Sequence, residues 1–374
     1  MTNPTAIDEA RKEMGFTKGH WAGRPRTRRM IRAGGRLGLG LALLLQVSLA
    51  AGQSIDSSYV QKFPQSLNLR LIYALRGGDL RVRHPQQEGQ LLYLPRYHPR
   101  VGVGGFLWNI GFNLLLPLPL PRLAQDQRIS RFDFQTSVFA TRWLVDGIFQ
   151  RYRGFTLRRA GVPPSLEMDE FRPELVTKKM SVAITYLPGG DRISLRSPYN
   201  QGVRQRKSAG SLLLSGSGTY LTVRDPGAVV PAIGLPRELA LERVRVYALS
   251  SKVGYAANLI YRSWFVHLLA MTGLDWQQTY YVQGETQSAF AVEPTYDLRS
   301  GLGYDTGRWY AGVYGTLDYN QYQAGDWQFQ ATSGQLRFFF GIRLAEPRWL
   351  QRLKPKFLED WQNSPSIPLP PIFG

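Results

Sequence analysis

Between Phe290 and Gln321 the chain alternates residue by residue, and that period constrains its fold more than any other feature. Phe290, Val292, Pro294, Tyr296, Leu298, Leu302 and Tyr304 fall on one side. Ala291, Glu293, Thr295, Asp297, Arg299, Gly301 and Gly303 fall on the other. After the turn Asp305-Thr306-Gly307-Arg308 the pattern resumes: Trp309, Ala311, Val313, Leu317 and Tyr319 oppose Tyr310, Gly312, Tyr314, Thr316, Asp318 and Asn320. A period of two means strands, because successive side chains point to opposite faces. Each run is longer than the five or six residues usual in a soluble sheet. Lipid outside and a polar lumen inside write such a pattern, at about ten residues per crossing.

The start of the chain reads differently. Arg24, Arg26, Arg28, Arg29, Arg32 and Arg36 precede an apolar run, Leu37 to Leu49, which ends in Ser48-Leu49-Ala50-Ala51. A basic head, a short apolar middle and small residues make a secretory signal peptide over residues 1–51, with cleavage expected near Ala50 or Ala51. The basic head is over-long, so translation is expected to start at Met30 or Met14. Residues 1–50 hold nine Lys/Arg and three Asp/Glu, which leaves +13 of the net +19 for the rest. That excess is scattered along strands and loops, with no basic helix or zinc-finger spacing, so nucleic acid is not the expected partner. Anionic lipid headgroups and lipopolysaccharide phosphates suit dispersed arginine better. The chain has no cysteine, which removes disulfides, thiolate metal sites and cysteine nucleophiles together.

Residues 52–65 read as a periplasmic lead-in, 66–344 as the barrel and 345–374 as a periplasmic basic, proline-rich tail. The expected strands are Ser66–Leu75, Pro99–Phe106, Trp108–Leu116, Ile129–Ala140, Trp143–Leu157, Val176–Leu187, Arg192–Val223, Arg243–Asn258, Arg262–Tyr281, Ala289–Tyr304, Trp309–Gln321 and Trp327–Leu344. Asp79–Arg83 is a short piece expected only at an edge. Long links (76–98, 117–128, 158–175, 224–242, 282–288, 322–326) alternate with short ones, as periplasmic turns and external loops do. The fold class is therefore all-β: a transmembrane, antiparallel, up-and-down barrel of about twelve strands. In the last strand Arg337 and Arg343 oppose Leu336, Phe338, Phe340, Ile342 and Leu344. Arginine facing lipid at mid-bilayer costs ~2–4 kcal/mol, so both should face the lumen or sit at an interface. Beyond it, Trp349, Leu350, Leu353, Phe357, Leu358 and Trp361 have helical spacing. They suit an amphipathic helix, ended or kinked at Pro355, or else an irregular tail.

Catalytic patterns are sparse. Ser263 and His267 share a strand face but lie about 13 Å apart at 3.3 Å per residue, too far for a nucleophile and its base. Gly102-Val103-Gly104-Gly105 and Gly216-Ser217-Gly218 lack the strand and helix that a phosphate loop needs. Asp56, Asp79, Asp126 and Asp169 have no calcium-loop spacing. No cofactor or metal is expected. The lumen candidates are Glu293, Asp297, Arg299, Tyr310, Tyr314, Asp318, Asn320, Arg337 and Arg343. About twelve strands enclose a narrow space that side chains can largely fill, so a plugged or very narrow lumen is expected.

Four stretches carry a resemblance: Leu67-Asn68-Leu69-Arg70-Leu71-Ile72-Tyr73, Val101-Gly102-Val103-Gly104-Gly105, Tyr152-Arg153-Gly154-Phe155, and Gln205-Arg206-Lys207-Ser208-Ala209-Gly210-Ser211-Leu212-Leu213-Leu214. In their order the chain resembles, over about residues 55–345, a family of Gram-negative outer-membrane barrels designated a domain of unknown function. The resemblance implies the outer membrane, a barrel and no particular activity. It also implies the barrel-assembly machinery as a partner during insertion. Because a tail follows Leu344, Phe338–Leu344 is the segment expected to serve as the terminal assembly signal. The expectation is a monomeric, non-enzymatic barrel with a structural, lipid-binding or small-solute role. The alternatives are a narrow channel for a small or hydrophobic solute and a lipid-modifying hydrolase.

Overall fold

The computed structural model describes residues 55–63, 66–86, 89–95, 99–107, 110–118, 130–163, 168–230 and 240–351. The expected signal peptide, and the tail beyond Gln351, lie outside the described residues. In chain order the elements are β1 (Val60–Lys62), β2 (Ser66–Arg83), β3 (Gln90–Pro95), β4 (Arg100–Leu107), β5 (Ile110–Pro117), β6 (Ser130–Phe139), β7 (Trp143–Ala160), β8 (Met168–Tyr186), α1 (Arg196–Asn200), β9 (Val203–Gln205), β10 (Ala209–Arg224), β11 (Arg243–Tyr261), β12 (Trp264–Gln283), β13 (Glu285–Asp305), β14 (Trp309–Ala324), β15 (Trp327–Ala345) and α2 (Arg348–Gln351).

Antiparallel pairing runs β15-β14-β13-β12-β11-β10-β8-β7-β3-β2, and β2 closes the ring on β15. The continuous ring therefore has ten strands rather than about twelve. The other expected strands are present, but they cross only part of the wall. β3 pairs with the far half of β2, Leu80–Val82, whereas β4 pairs with its near half, Asn68–Ala74. β7 likewise meets β3 through Phe155–Ala160 and β6 through Leu144–Arg153. Between β2 and β7, β3 stands alone at the end far from the termini, and β4, β5 and β6 fill the near end. Twelve strands thus build the near storey and ten the far one. Among the described residues β5 and β6 are not paired with each other.

The two storeys meet different solvents, and the hydrophobic phase inverts between them. On β2, Leu69, Leu71 and Tyr73 are exposed and Asn68, Arg70 and Ala74 buried; farther along, Leu80 and Val82 are buried and Arg83 is exposed. On β15 the exposed Leu336, Phe338 and Phe340 give way to the buried Trp327 and Phe329. Apolar-out marks strand in lipid, and apolar-in marks strand in water. On β12 the outward residues stay free of charge from Trp264 to Trp276. Twelve steps of about 3.3 Å at a tilt near 40° give a belt of roughly 30 Å, one hydrocarbon thickness. Aromatic pairs rim the near side: Trp143–Tyr186 at 4.7 Å, Trp264–Tyr304 at 5.2 Å and Trp309–Phe340 at 5.6 Å between centroids. Tyr220–Tyr247 at 5.1 Å and Tyr296–Tyr319 at 5.8 Å rim the far side. Such girdles belong at membrane interfaces.

Leu298 sits mid-belt on the outward face of β13. Leu298→Arg is expected to lower unfolding free energy by ~2–4 kcal/mol in a bilayer, read by denaturant titration in liposomes. Less than about 0.5 kcal/mol would mean that lipid does not cover this face.

Three readings are corrected by this fold. The piece Asp79–Arg83 is no edge: it is the far half of β2, hydrogen-bonded to β15 and partly to β3. The expected loops 282–288 and 322–326 are mostly strand and turn tightly at Gly284 (φ 70°) and Gly325 (φ 60°), in the left-handed conformation glycine favours. The expected strand Arg192–Val223 starts only at Ala209, and residues before it leave the wall altogether. With these the strict alternation of long and short links also fails.

Candidate functional site

The link between β8 and β10, residues 187–208, turns inward and fills the near end of the ring. It carries α1, which ends at Gln201 in the left-handed conformation (φ 53°). Tyr199 shows where α1 lies. Its hydroxyl accepts a hydrogen bond from Arg299 Nη1 at 2.6 Å, and its ring lies 4.8 Å from Tyr314, 5.5 Å from Phe139 and 6.0 Å from His267. These partners come from β13, β14, β6 and β12, so only the interior of the ring can bring them together. Burial pushes the Tyr199 phenol above its ordinary value, so the hydroxyl keeps its proton at neutral pH. Burial draws the neighbouring Arg196 guanidinium down to about 10, and Arg196 donates to the carbonyl of Phe139.

Gln201 is the second anchor. Its backbone oxygen accepts from Asn68 Nδ2 at 2.8 Å and Arg343 Nη2 at 2.9 Å, and its Oε1 accepts from Arg70 Nη1 at 2.6 Å. Arg343 also makes a two-pronged pair with Asp305, at 2.7 and 2.8 Å, and donates to the carbonyl of Gly307 at 3.0 Å. Its guanidinium lies 4.4 Å from the Phe63 ring centroid and 4.7 Å from that of Tyr310. Tyr310 packs closely on Gly341, where a Cβ would meet its Cζ at 2.3 Å, and donates to the carbonyl of Leu69. A side chain at 341 would push Tyr310 off Arg343.

The middle of the lumen is polar. Lys252 Nζ lies 2.9 Å from Asp297, and Arg299 lies 3.8 Å from Asp146. Gln321 donates to Glu293 at 2.6 Å, Thr295 donates to Asn320 at 3.3 Å, and Ser333 donates to Asp318 at 3.5 Å. Arg337 donates to Gln335 at 3.3 Å. Charged groups taken from water need this density of partners.

The far end is greasy. Leu80, Val82, Leu91, Tyr93, Trp327 and Phe329 belong to one buried cluster. Val229, Val230 and Leu241, from the link between β10 and β11, join it from above. Tyr93 donates to the carbonyl of Val229, while Arg172 pairs with Asp225 at 3.2 Å and donates to the carbonyl of Ala228 at 2.7 Å. Along the axis the lumen thus passes from a hydrogen-bonded plug through a charged layer to an apolar core.

The candidate residues fall into two groups. Tyr310 and Arg343 hold the plug end together, and Arg299 and Tyr314 line it around Tyr199. Glu293, Asp297, Asp318 and Asn320 belong to the charged layer. Arg337 joins the first group from β15, where it is the cross-strand neighbour of Tyr314 and bonds to Gln335, two residues back on the same strand. Sequence reasoning missed Tyr199, Gln201, Asn258 and Asp305. The signal for the plug was Pro198, which disfavours a central strand. His267 is fully buried, and its Nδ1 donates to Asn258 Oδ1 at 2.7 Å. Asn258 Nδ2 in turn donates to the carbonyl of Ser194 at 3.0 Å, which fixes its orientation. The described contacts of His267 include no serine or carboxylate. Among the described residues no group of three His, Asp or Glu side chains could hold a metal ion.

Closed antiparallel pairing, an apolar belt facing outward and aromatic girdles define a β-barrel of the outer-membrane type. The chain belongs to the family described as Domain of unknown function (DUF4421), which matches residues 54–343. No curated protein matches it. Among solved structures it is similar to the outer-membrane expressed OmpT of Vibrio cholerae, at 7% identity and a TM-score of 0.27, over 76% of this chain and 100% of that one. It is also similar to the Pseudomonas putida toluene transporter TodX, at 8% identity and a TM-score of 0.22, over 75% of this chain and 91% of that one. Similarity at this level says nothing of this chain's activity.

Proposed function

We propose that this is a monomeric, non-enzymatic outer-membrane barrel, closed to ions at rest, with the end bearing the termini in the periplasm and the far storey outside the cell. Its role is structural and lipid-facing rather than solute conduction. The observation that carries this reading is the plug: Tyr199 bonds to Arg299 on β13 and packs on Phe139 of β6 across the ring, while Gln201 is bonded to β2 and β15. His267 gives its Nδ1 to Asn258 and packs against the rings of Tyr199 and Tyr314, a structural use of the imidazole that supports the non-enzymatic reading.

A second reading is favoured by the charged middle layer. Buried pairs such as Lys252–Asp297 add little stability over an apolar core, so they suit a narrow polar path that opens when the plug moves. The experiment is conductance of the purified barrel in planar bilayers. The expected result is no steady current; porin-like current in the resting protein would sink the sealed-barrel reading.

Sidedness is tested on cells. The chain lacks cysteine, so single replacements report cleanly. Gln323→Cys, beside the Gly325 turn, is expected to react with a membrane-impermeant maleimide on intact cells. Arg308→Cys, at the near end, is expected to react only after lysis. The opposite pattern inverts the orientation.

A further inference from the structure

The outer wall above the lipid belt is ordered in rows by the sheet register. Across β7, β8, β10, β11 and β12 one row of outward positions reads Arg151, Lys178, Thr222, Arg245 and Tyr280. The next row away from the membrane reads Arg153, Val176, Arg224, Arg243 and Val282. The row toward the membrane reads Phe149, Met180, Tyr220, Tyr247 and Gln278, and the one below it Gly147, Val182, Gly218, Leu249 and Trp276. Two cationic rows thus stand directly on an aromatic row, which stands on an apolar one.

The shape follows the same order. A groove of about 670 Å³ runs over the apolar rows, walled by Met180, Val182, Tyr247, Leu249, Trp276 and Phe290. Gly218 is its floor: a Cβ there would meet only Leu249 Cδ2, at 3.8 Å, so the hollow exists because this outward position has no side chain. Above it a hollow of about 400 Å³ is bounded by Arg245, Tyr247, Gln278 and Tyr280. Beside that, a third of about 660 Å³ is lined by Arg151, Arg153, Arg224 and Arg243 together with Glu174, Asp225 and Glu242, of which Asp225 is taken up by Arg172 at 3.2 Å. Glu174 is taken up by Arg153, at 2.6 Å. Among the described residues Arg151, Lys178, Arg224, Arg243 and Arg245 have no carboxylate at ion-pair distance. The Arg245 Nε is buried without a hydrogen-bond partner.

We propose that this face binds one molecule of a phosphorylated, multiply acylated glycolipid, the lipid A end of lipopolysaccharide, with acyl chain in the groove and phosphates on the cationic rows. Arginine forks match phosphate oxygens in pairs. From β7 to β11 the row spans three strand spacings, about 14 Å. One phosphodiester headgroup is too small to engage both Arg151 and Arg245 across that span; a disaccharide bearing a phosphate at each end reaches both. The proposal rests on the far storey facing outside the cell, since this glycolipid lies in the outer leaflet.

The test is native mass spectrometry of the full mature chain in detergent, titrated with hexa-acylated bisphosphorylated lipid A or with phosphatidylglycerol. The expected result is one lipid A bound, at least tenfold tighter than phosphatidylglycerol. The combined variant Arg151→Gln, Arg243→Gln, Arg245→Gln is expected to lose at least tenfold. Gly218→Leu is expected to do the same with every cation in place, by filling the groove. Should the variants fold poorly, monophosphorylated lipid A on the unaltered protein serves, with an expected tenfold loss. Equal binding of phosphatidylglycerol, unchanged binding by the two variants, or no effect of removing a phosphate would each overturn the assignment. The detergent assay has no sidedness, so its failure is distinct from a failed orientation, which the cysteine labelling reads.

Discussion

Asp305→Ala is expected to lose ~3–5 kcal/mol of unfolding free energy, the usual cost of removing one member of a buried ion pair. Asp305 sits between two guanidiniums, with Arg343 at 2.7 Å and Arg204 at 3.9 Å. Its loss leaves both cations facing each other at the plug end of the lumen. Arg343→Met is expected to cost less, because Asp305 keeps Arg204. Replacing both at once, Asp305→Ala with Arg343→Met, is expected to regain part of the loss, since the fully buried Arg343 charge is then gone and only the more exposed Arg204 loses its carboxylate. The double variant still lacks the donor to the Gln201 carbonyl. Its plug should therefore be cut by protease faster than that of the unaltered chain, and by more than its remaining loss of global stability accounts for. Denaturant titration of the four proteins in one detergent gives the cycle. A cost below about 1 kcal/mol for Asp305→Ala would show that water, not protein, surrounds this pair.

The lower storey was legible in the sequence because lipid and lumen write opposite residues onto alternate positions. Leu298 beside Arg299 has only one reading in a strand. The far storey was less legible because the same strands invert their phase once they leave the bilayer. On β2 the odd positions Leu69, Leu71 and Tyr73 face out, yet Leu80 and Val82 at even positions face in. A search for one continuous phase stops near Leu75 and turns Asp79–Arg83 into a fragment. β3 was missed for another reason. Leu91-Leu92-Tyr93-Leu94 is a continuous apolar run, and such a run has no period to read. The plug was misread as strand because a segment inside a lumen also mixes apolar and polar residues at short range. Ile193 and Leu195 pack on wall residues such as Leu213 and Leu269, while Ser194, Gln201 and Gln205 answer polar groups of the wall. Whether a near-alternating stretch pairs with a neighbour or lies inside the ring is decided by long-range contacts, which local pattern does not carry.

The same division into storeys predicts that the lumen has two seals in series. Excising residues 192–205 behind a short flexible linker removes the plug but leaves the apolar core beneath the far end. Tyr93, Tyr322, Trp327 and Phe329 stay there, each all but wholly buried. A constriction lined by such side chains excludes ions by excluding water. Plug excision alone is therefore expected to leave planar-bilayer current at the level of the unaltered barrel, within about tenfold. Adding Trp327→Ser, Tyr322→Ser and Phe329→Ser should wet the far storey and raise current more than a hundredfold. The three far-storey changes without excision are expected to conduct little, because Tyr199 and Gln201 still span the near end. They should also destabilise the barrel by about 9–15 kcal/mol in all, since truncating each large buried aromatic costs about 3–5 kcal/mol, so each variant is first checked for heat-modifiable mobility as a folded barrel. The outcome discriminates between the two readings of the charged layer around Lys252 and Asp297. If plug excision by itself gave porin-like current, the far core would be no barrier to ions. Residues 187–208 would then be a gate, and the charged layer a conduction path.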